Sequence, residues 1–144
     1  MEANLNKYAS IIYRQAQRYF DKELEKHGIG CGQQFFLLHI NSNEGISMYD
    51  LARLGHFDKG TVTKAVQKLE EEGLIRIEVD PKDRRMRRLY TTRKAEEVVK
   101  AAYDLRETWF EILTEGLTDE EVRTIGLLMS RMAENAYDYM NGGI

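Results

Sequence analysis

Two groups of residues in this 144-residue chain could do chemistry. The first is Lys59, Thr61, Thr63, Lys64 and Gln67, polar or cationic side chains lying largely off the apolar stripe Val62, Ala65, Val66 and Leu69. The second is Lys82, Arg84, Arg85, Arg87, Arg88, Arg93 and Lys94, opposed within residues 82–94 by Asp83 alone. That stretch carries +6 in a chain whose total is −3, which leaves −9 for the remainder. Hydroxyls, amides and cations along a helix reach base edges and phosphates when the helix lies in a major groove. Cations gathered on a turn beside such a helix, on an acidic body, are the footprint of a nucleic-acid-binding face.

Each residue has a distinct expected task. Lys64 can donate to a guanine edge or a phosphate, and Thr61 and Thr63 offer a hydroxyl or a methyl group. Gln67 lies on the same face, while Ser47 and Lys59 suit fixing the nucleic-acid backbone. Arg84, Arg85 and Arg87 belong to the basic hairpin, from which Arg84 or Arg85 can enter a narrow minor groove. Asp83 is expected to orient Arg85 through a charge-assisted hydrogen bond.

Three local elements must position these groups. A short helix is predicted from Ser47, a cap with Asp50 three residues on, and Leu51, Ala52 and Leu54 supply its buried side. Gly55 is expected to permit the turn, and Phe57 to plug the gap before a second helix capped by Asp58 and ended by Gly73. Residues 74–79 alternate Ile75, Ile77 and Val79 with Arg76 and Glu78, a strand period. Asp80-Pro81-Lys82-Asp83 is turn chemistry, residues 86–91 return as a second strand, and Ile46 is expected to pair with this hairpin. The order is helix, turn, helix, wing.

The pieces DLARLGHFDKGTVTKAVQKLEEEGLI and DPKDRRMRRLYTT resemble the MarR (multiple antibiotic resistance regulator) family of winged-helix transcription factors. The carriers are Thr61-Val62-Thr63-Lys64, the Leu69-Glu70-x-x-Gly73-Leu74-Ile75 exit and Asp83-x-Arg85. Two departures stand out. Ile77 and Glu78 follow Arg76 where the family often has a basic residue, and Thr91-Thr92-Arg93-Lys94-Ala95 stands where it often has Leu-Thr-x-x-Gly.

The rest of the chain reads as helices. Leu5 to Lys26 carries a wide apolar face, and in the helix expected at 32–41 Phe35, Phe36, Leu37, Leu38 and Ile40 give a mostly buried character interrupted by His39. From residue 92 to 115, Val98, Ala102, Leu105, Trp109 and Ile112 recur at four, three, four and three. Thr118 and Glu121 form a capping box for the last helix. The expected fold is mainly α with a small β-wing: one domain over 1–144, with a winged helix-turn-helix lobe at 32–92. Helices at 1–28 and 117–144 are more apolar than the middle of the chain can cover, which points to a dimerisation module, and the resemblance implies pairing through them. A two-fold dimer implies a pseudo-palindromic site on double-stranded DNA, with half-sites ~10 bp apart.

No nucleophile with a base and an orienting group is present, no Gly-rich phosphate loop and no metal motif, so an enzyme is not expected. One cysteine excludes an intrachain disulfide and suggests a reducing, cytoplasmic setting. No apolar run approaches the ~20 residues of a membrane span. His27, Cys31 and His39 are ligand types zinc accepts, but no metal or other cofactor is expected. Cys31 near a helix start could serve a redox sensor if its pKa were depressed. The reading is a repressor released by a ligand; the resemblance implies a small effector, often an aromatic acid or phenol, in a cavity that Tyr13, Phe36, His39 and Trp109 would line, and core packing accounts for the same residues equally well. The competing function is a winged helix that binds a protein partner and not DNA.

Overall fold

A computed structural model describes residues 3–142. The elements are α1 (Leu5–Leu24), a 3₁₀ turn (Glu25–His27), α2 (Cys31–Ser42), β1 (Ile46–Ser47), α3 (Met48–Leu54), α4 (Lys59–Glu71), β2 (Ile75–Val79), β3 (Arg87–Thr91), α5 (Ala95–Leu113) and α6 (Asp119–Met140). The expected mainly helical fold with a β-wing is the fold observed, with small shifts at element ends. The first helix tightens to the 3₁₀ turn at Glu25. Helix α5 starts three residues later than expected because Thr92 is used in a turn, its hydroxyl donating to the Gly73 carbonyl (2.6 Å).

Helix α4 forms although Thr61, Val62, Thr63 and Val66 are β-branched, each costing up to ~0.7 kcal/mol relative to Ala. Burial outweighs that cost. Val62, Ala65, Val66 and Leu69 are all buried, worth on the order of 5 kcal/mol at the usual transfer values. Gly73, at φ 75°, ends the turn after α4 in a conformation that side chains with a Cβ avoid. Helix α2 buries Phe36, Leu37, Leu38 and Ile40. Leu24, Leu51, Leu74, Ile75 and Leu89 complete the same core.

The strands form one antiparallel sheet in the order β1-β3-β2. Ile46 pairs with Leu89 and Ser47 with Arg88, while Ile77 pairs with Leu89 and Glu78 with Arg88. The two-residue strand β1 therefore ties the start of α3 to the hairpin.

The chain divides into two compact units between Glu107 and Thr108, and α5 is continuous through that point. The first unit holds the core described above. In α1 only Phe20 and Leu24 are buried, whereas Leu5, Tyr8, Ile11, Ile12 and Tyr13 are exposed. In the second unit the α6 capping box is present, with the Thr118 hydroxyl accepting from the Glu121 N–H (3.1 Å) and Glu121 accepting from the Thr118 N–H (2.9 Å). No residue of α6 is buried, and Ile125, Leu128, Met129 and Met132 are exposed.

Candidate nucleic-acid interface

Helix α3 is capped by Ser47, whose hydroxyl oxygen accepts from the Asp50 N–H (3.1 Å). Ser47 was expected at the nucleic-acid backbone, but it is 4% exposed. Its hydroxyl belongs to the fold and is withdrawn from the surface. Leu54, expected on the buried side of α3, is half exposed, because the helix ends there. The turn that follows corrects another expectation. Gly55 has an ordinary φ of −123°, and the left-handed residue is His56 at φ 54°. Gly55 is needed for space: a Cβ there would lie 2.3 Å from the Phe57 ring. Phe57 packs against Phe36 (4.8 Å between centroids) and Phe35 (5.2 Å), so it does fill the gap, against α2.

Asp58 then caps α4. One carboxylate oxygen accepts from the Thr61 N–H (2.7 Å) and the other from the Thr61 hydroxyl (3.0 Å). The Thr61 backbone bond, then its side-chain bond, hold the Asp58 carboxyl below the usual carboxylate range. On the face that this cap presents, Lys59, Thr61, Lys64 and Gln67 are exposed and Thr63 is half-buried. The helix therefore leaves four of the five predicted α4 residues exposed and Thr63 partly so.

The wing turn is built by two aspartates. Asp80 accepts from the Lys82 N–H (2.7 Å), and Asp83 accepts from the Arg85 N–H (3.1 Å). Asp83 also takes two hydrogen bonds from the Arg85 guanidinium, at 3.2 and 3.4 Å. The Arg85 side chain is 92% exposed, and Asp83 is its ion-pair partner.

The basic run separates into cations that the fold consumes and cations that it leaves out. Arg88 donates to Asp80 (2.9 Å) and to the Gly45 carbonyl (3.0 Å). Lys94 donates to the Glu72 carbonyl (2.8 Å) at the end of α4. Lys82, Arg84 and Arg87 are exposed and form no ion pair among the described residues. Arg76 was not singled out from the sequence. It lies over the Tyr90 ring (4.5 Å) and pairs with Glu78 (3.1 Å), so Glu78 neutralises a cation the wing would otherwise present. The signal for Arg88 was its place in a strand with neighbours on both sides, where a charged side chain needs partners.

Of the remaining sequence candidates, Phe36 is buried beside Phe35 and Phe57. His39 lies against Phe35 (4.2 Å), and burial, then the nearby Arg106, pull its pKa down. Tyr13 is exposed, its hydroxyl accepting from Gln17. Trp109 lies in the second unit and is half-buried. Cys31 opens α2, but Asp21 already accepts from its N–H (2.7 Å). Burial, then the Asp21 charge, push its thiol pKa up, the reverse of what a redox sensor needs. Among the described residues no three His, Cys, Asp or Glu side chains are grouped to hold a metal ion, and no helix is long and apolar enough to cross a membrane.

Residues 34–86, from α2 to the wing, match the MarR family. The chain is 28% identical over 134 residues to the HTH-type transcriptional regulator BilQ of Clostridium symbiosum (strain WAL-14163), covering 93% of each. It is 30% identical over 115 residues to the uncharacterized HTH-type transcriptional regulator YybA of Bacillus subtilis (strain 168), covering 78% of this chain and 77% of that one. The fold also matches the crystal structure of a MarR transcriptional regulator from Methanosarcina mazei Go1. There the TM-score is 0.82 at 34% identity, over 94% of this chain and 97% of that one.

Proposed function

Because this chain belongs to the MarR family of transcriptional regulators, we propose that it binds a pseudo-palindromic site on double-stranded DNA as a homodimer and represses until a ligand releases it. The observation that carries this reading is the pairing of two surfaces on one lobe. Helix α4 presents Lys59, Thr61, Lys64 and Gln67, and the wing presents Lys82, Arg84 and Arg87 without carboxylate partners among the described residues.

In this reading the lobe at 32–92 contacts DNA. Lys64 donates to a base edge or phosphate, Thr61, Thr63 and Gln67 face bases, and Lys59 fixes the backbone. Arg85, held by Asp83, enters the minor groove with Arg84 and Arg87 beside it. The helices at 1–28 and 117–144 form the dimer. Support comes from their exposed apolar side chains, among them Tyr8, Ile12, Leu128 and Met132, since monomers rarely leave such faces to water. The releasing ligand is a small aromatic molecule, as the family resemblance implies. The cytoplasm is the expected place of action, as the single cysteine suggests.

The test is selection of bound fragments from random DNA at two salt concentrations, with Arg85→Ala as control and sedimentation to read the oligomer. A short palindrome recovered by the wild type and lost by the variant is expected. Absence of binding at low salt sinks the DNA reading and favours a protein-interaction module. A monomer at micromolar concentration removes the dimer.

A further inference from the structure

We propose that Arg88 is a positioning residue for DNA binding: it braces the wing against the helix-turn-helix and is not itself a phosphate contact. This rests on the DNA-binding reading above and adds to it a residue that the basic run hides.

Arg88 lies in the central strand, paired with Ser47 on one side and Glu78 on the other. Its guanidinium bridges two segments. Nε donates to Asp80 in the wing turn (2.9 Å), and Nη1 donates to the carbonyl of Gly45, 43 residues away in sequence (3.0 Å). The Arg88 and Asp80 side chains are 37% and 14% exposed, so solvent screens the pair in part. Gly45 is held from the same strand by a second bond, its N–H to the Leu89 carbonyl (2.8 Å). Beyond Gly45 comes β1, whose Ser47 caps α3. The path therefore runs from the wing turn, through Arg88, to the strand that starts the helix-turn-helix. The planar fork of arginine suits two acceptors at fixed positions, which an ammonium does not match.

Two variants separate a brace from a phosphate contact. Asp80→Asn keeps an oxygen to accept from the Lys82 N–H and removes the charge that holds Arg88. Arg88→Gln removes the guanidinium. Binding of both variants and of the double variant to the selected DNA would be measured across salt concentrations, on protein whose active fraction is fixed by stoichiometric titration. A brace predicts about 10-fold weaker binding for each single variant, and about the same for the double variant in place of about 100-fold. It also predicts an unchanged salt slope. In hydroxyl-radical footprints the wing's minor-groove protection fades while that of α4 persists, a split that general loss of structure would not give. A phosphate contact predicts the opposite sign for Asp80→Asn, tighter binding through loss of a negative charge, with the slope for Arg88→Gln reduced by about one. That outcome overturns the proposal, as does a double variant whose losses multiply. If the wild type shows no salt-dependent binding at all, the DNA reading fails first and this inference falls with it.

Discussion

Replacing Gly55 by alanine tests how the helix-turn-helix is held. The new Cβ would lie 2.3 Å and 2.9 Å from two carbons of the Phe57 ring and 3.2 Å from Phe35. Carbon atoms settle at about 3.5–4.0 Å, so the Phe57 ring must retreat by more than ~1 Å. That movement loosens its contacts with Phe35 and Phe36. Overpacking of this kind costs about 1–3 kcal/mol. The φ of −123° suits alanine, so about 0.4–1 kcal/mol returns through a less flexible unfolded chain. The net loss is about 1–2 kcal/mol, or a melting temperature lower by about 3–8 °C for a chain of this size. Gly32→Ala is the control. A Cβ there meets nothing within 4 Å, and a helical alanine gains about 0.5–1 kcal/mol over glycine. Thermal melting followed by circular dichroism should move in opposite directions for the two variants. A Gly55→Ala protein that melts with or above the wild type would refute the packing argument. Phe57 directly precedes the cap of α4, so the same variant should also weaken DNA binding.

Three further outcomes are expected. Asp83→Ala should bind DNA about 3- to 10-fold more weakly by fluorescence anisotropy although it removes a negative charge, because a freed arginine must be ordered again at a cost of about 1 kcal/mol; tighter binding would count against an orienting role. Asp58 has a folded pKa below its unfolded value, so its contribution is complete above about pH 4 and is lost as pH falls through the folded pKa. Melting of wild type and Asp58→Asn should therefore differ by a constant amount from pH 5 to 7 and converge in acid, and a gap that widens below pH 4 would show the sign to be wrong. Cys31 should react with iodoacetamide at pH 7 more slowly in the folded protein than in urea, since burial and Asp21 raise its thiol pKa; faster reaction when folded would restore the redox reading.

Apolar patterning was enough to find every helix and both wing strands: Val62, Ala65, Val66 and Leu69 in α4 are all in the core, whereas the apolar stripe of α6 is exposed. The caps at Ser47, Asp58 and Thr118 were equally legible, since they need only residues three apart. Long-range use of polar groups was not. Nothing near Ser47 in the sequence says that its hydroxyl is buried. Nothing near Arg88 names Gly45 as its acceptor, and Lys94 and Arg93 look alike until the first is seen donating to Glu72. The basic run overstates its free charge. Tertiary hydrogen bonds decide which cations remain, and they join segments that composition cannot relate.

In the DNA-binding reading proposed above, the Asp58–Thr61 pair narrows what the start of α4 can say to a base pair. The Thr61 hydroxyl proton is already given to the carboxylate. What remains is a receiving oxygen and a methyl group. A thymine methyl or the amino group of adenine or cytosine finds a counterpart there; guanine, with only acceptors on its major-groove edge, does not. The vocabulary of this position is set by its own cap, before any DNA arrives.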